Sequence, residues 1–393
     1  MAGPLNGIKI LDFTTLLPGP FATMMLADMG AEVLRVVSGS RPDLAAMVPP
    51  CLPGTELSCA TATLGRGKRC MALNLKDPRA RGIVERLVGE YDVLIEQFRP
   101  GVMAKFGLDY AALTKTTPRL IYCSLSGYGQ TGPLKDRAGH DINYLARSGL
   151  MSYSGTKESG PSLTGMQIAD VAAGANNSVI GILAAVIHRL RTGEGQHVDV
   201  AMTDGVVAFN ALAGAACLVD GTEAGREEEI LNGGWLYDFY ETSDGGYISF
   251  GGLEPQFFTA FCETIGRPDL VVAGVSPQDC DHFKQEVRLI IKTRTRAEWT
   301  AIFSRVDACV EPVLGLGEAL RDPHIRARGL VVEVDAPGCG RVRQIGHPIR
   351  YSATPPEYRH AGVHAGTHTR EVMAELGYRD DEIDEFERTG LFS

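Results

Sequence analysis

Short apolar runs alternate with longer amphipathic stretches through the first half of the chain. "GIKILDF" reads as a strand, "PFATMMLADMGA" as a helix, "EVLRVV" as a strand and "PRARGIVERLVGEY" as a helix. "DVLIEQF" and "LIYCSLSG" supply two further strands. Strands separated by helical text predict a parallel sheet with crossover helices, because parallel neighbours need a connection long enough to return across one face. Between Gln167 and Arg191 the pattern predicts one long helix, rich in Ala and Gly, stopped by "TGEGQ" and followed by the strand "HVDVAM". Small side chains on such a helix let another backbone or a ligand come close.

The texture changes after residue 220. "EAGREEEILNGG" is polar and reads as a surface linker, and "YDFYETSDGGYISFGG" reads as two strands around an Asp-Gly-Gly turn. Helical text runs from "EPQFFTAFCETIG" to "TRAEWTAIFSRV", "DACVEPVL" returns as a strand, and "DDEIDEFERTG" closes as a helix with a Gly stop. A length of 393 residues is too great for one compact core. The expectation is an α/β protein of two bodies. Residues 1–220 form a Rossmann-like large domain with a parallel sheet, 221–328 a smaller α+β domain, and 329–393 a segment returning to the large domain. "TTLLPGPFA" follows the first strand where a GxGxxG loop would let backbone approach a pyrophosphate, so no nicotinamide or flavin cofactor is expected.

Charge and cysteine usage narrow the class. A formal net charge of -10 argues against a nucleic-acid partner, since phosphate binding needs a positive face. The 9 cysteines are scattered, with no CxxC pair and no His/Cys cluster at metal spacing, so neither a disulfide framework nor a metal site is expected. The start of the chain does not read as a leader, and no uninterrupted apolar run is long enough to span a bilayer. No membrane association is expected, and the cytoplasm is the expected compartment.

Three ionisable groups stand in apolar or glycine-lined settings: His140 in "AGHDINYL", Asp170 in "GMQIADVAAG" and Glu254 in "LEPQFF". Each has a plain structural alternative. Asp170 and Glu254 both suit helix starts, Glu254 lying directly before Pro255. His140 can be satisfied by nearby backbone or by Asp141. No GxSxG elbow offers a serine nucleophile, and Cys309 in "DACVEP" reads as core. Arg35, Arg66, Lys68, Arg69, Arg99 and Lys105 recur near predicted strand ends and loops, where they suit phosphate capture.

"LGRGKR", "FRPGVMAKFGL", "LIYCSLSGYGQTGP", "AGHDINYL", "IADVAAG", "RTGEGQHVDVAM", "LNGG", "LEPQFF" and "DACVEPVL" occur in the order seen in family III CoA-transferases of the CaiB/BaiF type. From residue 6 to around residue 350 the chain resembles that family, and "GHDINY" with "EPQF" is similar to its α-methylacyl-CoA racemase branch. The resemblance implies that His140, Asp170 and Glu254 are catalytic. His140 and Asp170 would flank the substrate α-carbon, Glu254 would orient His140, and backbone N–H groups at the start of the Asp170 helix would hold the enolate oxygen. It implies CoA contacts from Arg35, Arg66 and Arg99 foremost, with Lys68, Lys105 and Tyr144 beside them. Coenzyme A would then be part of an acyl-CoA substrate, with no permanently bound cofactor. The family likeness also implies an interlocked homodimer, or a heteromer with a paralogous subunit.

Two reactions stay open within that likeness. One is racemisation of a 2-methylacyl-CoA; the other is transfer of CoA from a donor such as succinyl-CoA to a free acid through Asp170. An imidazole opposite the carboxylate favours the first, since transfer alone gives no reason for it. A non-catalytic acyl-CoA-binding subunit is a third reading. Three departures from the racemase branch bear on the choice. Residues 38–63 are longer than racemases carry there, "SGLMSYSGTKESGPSLTGMQIADVAAG" resembles the transferase branch, and Trp235 follows "LNGG" where a small residue is usual, reshaping the expected acyl pocket.

Overall fold

The computed structural model describes residues 3–39, 43–273 and 279–393, so part of the long 38–63 stretch lies outside the described residues. The chain forms two units: Met1–Ser148, Thr164–Phe209 and His324–Ser393 make the larger, and Gly149–Leu163 with Asn210–Pro323 the smaller. Residues 210–220, expected in the large domain, belong to the smaller unit, and so does the excursion 149–163.

The larger unit is built on a six-stranded parallel sheet of β1 (Lys9–Phe13), β2 (Glu32–Val37), β3 (Lys68–Ala72), β4 (Val93–Glu96), β5 (Ile121–Ser126) and β6 (His197–Ala201). The order is β3-β2-β1-β4-β5-β6, the doubly wound arrangement that reverses between β1 and β4 and opens a ligand crevice at the strands' carboxyl ends. Strands covered on both faces need continuous apolar runs, and β4 and β5 are buried along their whole length. Leu11, Leu34, Leu94 and Tyr122 of the strands pack with Ile83, Val84 and Leu87 of the Pro78–Glu90 helix into the core. Pro78 opens that helix behind Asp77, whose carboxylate accepts the Arg79 N–H at 2.9 Å.

Two of the expected phosphate ligands lie inside this core instead. Lys68 is on β3, fully buried; its Nζ donates to Thr23 Oγ1 at 2.5 Å and to the Pro20 carbonyl at 2.9 Å, and meets Asp12 Oδ2 at 3.3 Å. Burial pulls its ammonium down to about 8 against the attraction of Asp12. Arg66, also fully buried, grips Asp28 through Nε at 2.9 Å and Nη2 at 2.6 Å and bonds Gln344 and the Ile345 carbonyl, each at 2.9 Å. These cations neutralise interior carboxylates, and neither presents a charge to a ligand. Their presence in "GRGKRCMA" also hides β3 from a reading by hydrophobic pattern.

The long helix runs from Ala169 to Thr192, and its first seven residues, Ala169–Ala175, are wound as a π-helix before the α-helix Asn176–Thr192. Its small residues serve close packing on the Met202–Phe209 helix: a Cβ on Gly174 would sit 2.9 Å from Met202, and one on Gly205 2.7 Å from Ala173. The Ala169–Thr192 helix has the length and apolarity of a membrane span, yet 44% of its most apolar window is buried and it packs on β5 and β6 as a core helix.

The smaller unit holds an antiparallel sheet of β7 (Asp238–Glu241), β8 (Tyr247–Phe250) and β9 (Val310–Pro312). Gly245, at φ +77°, makes the expected turn between β7 and β8. Phe250, Phe261 and Phe303 stack in its core beside Trp299. In the larger unit, a hairpin of β10 (Val331–Ala336) and β11 (Gly340–Ile345) leads into the tail. Residues 360–369 then run along β3, which has no strand neighbour on that side: Gly67 N bonds the His360 carbonyl at 2.8 Å, His368 N the Cys70 carbonyl at 2.9 Å, and Thr369 Oγ1 accepts Ala72 N at 3.0 Å.

Candidate active site

Within the larger unit, the Asp141–Arg147 helix packs against the Ala169–Ala175 turn and brings two of the sequence-predicted groups together. His140 stands immediately before the helix with extended backbone; its N–H donates to Asn143 Oδ1 at 3.0 Å and its carbonyl accepts Asn143 N at 2.8 Å. Those bonds run through the backbone and leave the residue exposed. Asp170 is half-buried in the first turn of the π segment. Burial first, and the charge of Asp141 second, push its carboxyl up to about 6, while His140 draws it the other way. The imidazole and the carboxyl are thus within electrostatic reach of each other.

Asp141 joins the two elements. Its Oδ1 accepts the N–H of Ala169 at 2.6 Å and of Asp170 at 3.1 Å, across 28 and 29 positions of sequence. Val171 N bonds the Gln167 carbonyl at 2.9 Å. The N–H groups expected to hold an enolate oxygen at the start of the Asp170 helix are therefore already occupied. Pattern reading noticed Asp141 only as a neighbour of His140; nothing in spacing signals a bond to residue 170.

Tyr144 is buried against the same cluster. Its hydroxyl donates to the Gly139 carbonyl at 2.5 Å, its ring meets Tyr128 edge-on at 5.2 Å, and a Cβ on Gly127 or Gly139 would lie 2.4 or 2.7 Å from it. Those glycines make room for the ring. Burial and the nearby Asp170 push its phenol up to about 12, and Arg99 acts in the opposite sense, so an exposed guanidinium stands near the cluster. Lys105 is exposed at the end of the Val102–Lys105 helix. Arg35, by contrast, is buried and paired with Asp43, which also accepts the Leu16 N–H at 3.1 Å. Of the arginines expected foremost for CoA, Arg99 alone presents an exposed charge; Arg69, in the wider basic set, is tied to Glu375 at 2.8 Å.

Glu96 was missed. It sits buried at the carboxyl end of β4, beside the topological reversal, where its carboxylate accepts Phe98 N at 2.8 Å and burial pushes it up to about 7. A charged residue inside the apolar run "DVLIEQF" was the available signal.

Glu254 belongs to the smaller unit. Its backbone carbonyl accepts Phe257 N at 3.1 Å and Phe258 N at 3.0 Å, starting the Pro255–Thr264 helix, and its exposed side chain makes no capping bond. Cys309, read as core, is exposed at φ +51°; burial and then Glu254 push its thiol up. Trp235 packs on Phe258 at 5.3 Å, in the aromatic core of this unit.

Among the described residues no group of three or more His, Cys, Asp or Glu is placed to hold a metal ion. A cavity of about 620 Å³ in the larger unit, lined by Glu56, Pro337, His360, His364 and His368 among others, shares no residue with the His140–Asp170 cluster.

The model of CoA-transferase family III matches residues 5–369. The chain belongs to CoA-transferase family III. Family III members on both sides of the racemase and transferase divide are equally near. The chain is 36% identical to the alpha-methylacyl-CoA racemase of Homo sapiens over 96% of its own length and 95% of that protein. It is also 36% identical to the succinate–glutarate CoA-transferase of Agrobacterium fabrum, over 95% and 96% of the two chains. Among solved structures, a CaiB/BaiF family protein from Brucella suis superposes with a TM-score of 0.83 at 28% identity, covering 96% of this chain and 100% of that one. The protein is an acyl-CoA enzyme of family III by these likenesses, and identity alone does not choose its reaction.

Proposed function

We propose that the protein is a 2-methylacyl-CoA racemase working by two-base proton transfer. The observation that carries the reading is the Asp170 carboxyl, pushed up to about 6 beside His140. General acid–base exchange at one carbon needs a group able to hold and release a proton near neutrality, and burial with Asp141 alongside brings Asp170 toward that range. In one direction the basic group removes the α-proton, the C–H electron pair forms the Cα=C bond, and the carbonyl π pair moves onto the thioester oxygen to give an enolate. The other group, already protonated, delivers its proton to the opposite face and the carbonyl re-forms. His140 and Asp170 exchange roles for the other enantiomer.

Glu254 keeps the role the family likeness implies for it, a carboxylate that stabilises an imidazolium. Arg99 is the foremost phosphate contact assigned for CoA, Lys105 and Tyr144 are assigned further contacts, and coenzyme A is present only as part of the substrate. The working form is a homodimer, supported by large apolar side chains left exposed on single elements: Ile187 and Leu190 on the Asn176–Thr192 helix, and Leu212, Leu218 and Val219 on the Ala211–Asp220 helix. The compartment assigned is the cytoplasm.

The second reading is CoA transfer, kept open by a transferase relative as similar as the racemase. There Asp170 attacks the thioester carbonyl and expels CoA thiolate to give a mixed anhydride. The thiolate attacks the aspartyl carbonyl and releases the donor carboxylate, leaving an aspartyl thioester. The acceptor carboxylate displaces CoA thiolate to form a second anhydride, and the thiolate takes the acceptor acyl group and frees Asp170. One experiment separates the two. Incubated with a (2R)- or (2S)-methylacyl-CoA in deuterium oxide, the racemase incorporates deuterium at the α-carbon and interconverts the enantiomers. Movement of CoA to succinate or another free acid without α-exchange overturns racemisation in favour of transfer.

A further inference from the structure

We propose that Asp141 is a positioning residue: through one carboxylate oxygen it ties the turn carrying Asp170 to the helix that begins beside His140, and sets a fixed negative charge next to the reacting carboxylate. The inference rests on the reading of Asp170 as the group that exchanges the proton.

The geometry has two separable parts. The first is mechanical. Asp141 Oδ1 takes two successive N–H groups of the π segment, Ala169 at 2.6 Å and Asp170 at 3.1 Å. Both are first-turn donors that a helix cannot satisfy internally. His140 is the preceding residue, so one side chain fixes the separation of the two reacting groups. Proton transfer to and from a single carbon tolerates little slack in that separation.

The second part is electrostatic. A like charge close to a carboxylate favours its protonated form. The groups acting on Asp170 are Asp141 and His140 in opposite senses, with Tyr144 facing it from the same helix as Asp141. Asp204, on the Met202–Phe209 helix packed against the π segment, is coupled to Asp199 of β6 instead. Asp28 lies at the far end of the Pro18–Asp28 helix and is held by Arg66. Asp141 is therefore the one carboxylate on the packed elements that acts on Asp170. Without it, burial alone would have to keep the carboxyl protonatable near neutrality.

Asp141→Asn and Asp141→Ala separate the parts, because the asparagine oxygen still accepts both N–H bonds while the charge is gone. With the full-length chain and a 2-methylacyl-CoA, Asp141→Asn is expected to keep KM within about twofold and to move the acidic limb of the rate profile about one pH unit lower. Asp141→Ala is expected to lose a further tenfold or so in kcat, again with little change in KM. Carbon-13 titration of the Asp170 carboxyl in wild type and Asp141→Asn reads the charge effect with no reliance on activity, and decides the matter if Asp141→Ala does not fold. An unmoved titration, or Asn and Ala variants of equal activity, overturns the proposal. Full activity in Asp170→Ala overturns the proposed function instead, and leaves the titration result standing on its own.

Discussion

Two clusters of charge in the larger unit look alike in sequence and differ in structure. Around β3, Lys68 with Asp12 and Arg66 with Asp28 are sealed in the core, each ion matched by an opposite ion and further hydrogen bonds. Around the Asp141–Arg147 helix, His140, Asp141, Asp170 and Arg99 stay partly or wholly open, with two carboxylates set side by side. The first cluster pairs its charges inside the core, away from any ligand; the second leaves a carboxyl open to exchange a proton. Full burial with full pairing marks structure, and half-burial with an unbalanced charge marks chemistry.

The contrast predicts opposite responses to substitution. Asp170→Asn should lower kcat by about a thousandfold, the scale of lost general acid–base catalysis, in the deuterium-exchange assay. Its stability should move the other way. The folded chain holds the Asp170 proton more tightly than an unfolded chain does, so the ionised carboxylate weakens the fold; that penalty is absent below about pH 4 and complete above about pH 6. Asp170→Asn should therefore raise Tm by a few degrees at pH 8 and leave it unchanged at pH 4. A lower Tm at pH 8 would put Asp170 among the structural ions.

Arg66→Met should do the reverse, costing about 3–5 kcal/mol by leaving Asp28 buried and unpaired, as read from urea midpoints. Adding Asp28→Leu should recover most of that loss, and any folded double variant should bind acyl-CoA with the wild-type KM. A large rise in KM there would return Arg66 to the ligand. The smallest effect expected is that of Arg99→Ala: KM up by about tenfold, with Tm and kcat little changed, as for loss of one exposed charge-assisted phosphate contact.

The parallel sheet, the long helix and the Asp-Gly-Gly hairpin were legible because each is a local pattern: continuous apolar runs, a small-residue stretch ended by Gly193, and turn residues between alternating strands. His140 and Asp170 were legible as groups misplaced in such patterns. What pattern could not carry is pairing at long range. Lys68 looks solvent-facing until Asp12 is found 56 positions away, and Asp141 looks like a helix-start acid until its bonds to residues 169 and 170 are seen. The segment Gly149–Leu163 has no apolar period to say which unit it joins. The π winding at Asp170 leaves no mark in the local pattern, and the Met202–Phe209 helix packed on it is reached only through the fold.

The strip of residues 360–369 laid against β3 has a bearing on synthesis. Until residues 360–369 leave the ribosome, that margin of the sheet carries bare amide and carbonyl groups able to recruit a strand from another nascent chain. Closure comes only when the strip emerges. The same closing segment brings Val372, Met373, Ile383 and Leu391 into the core, so the strip seals the margin and its continuation fills the interior in one step.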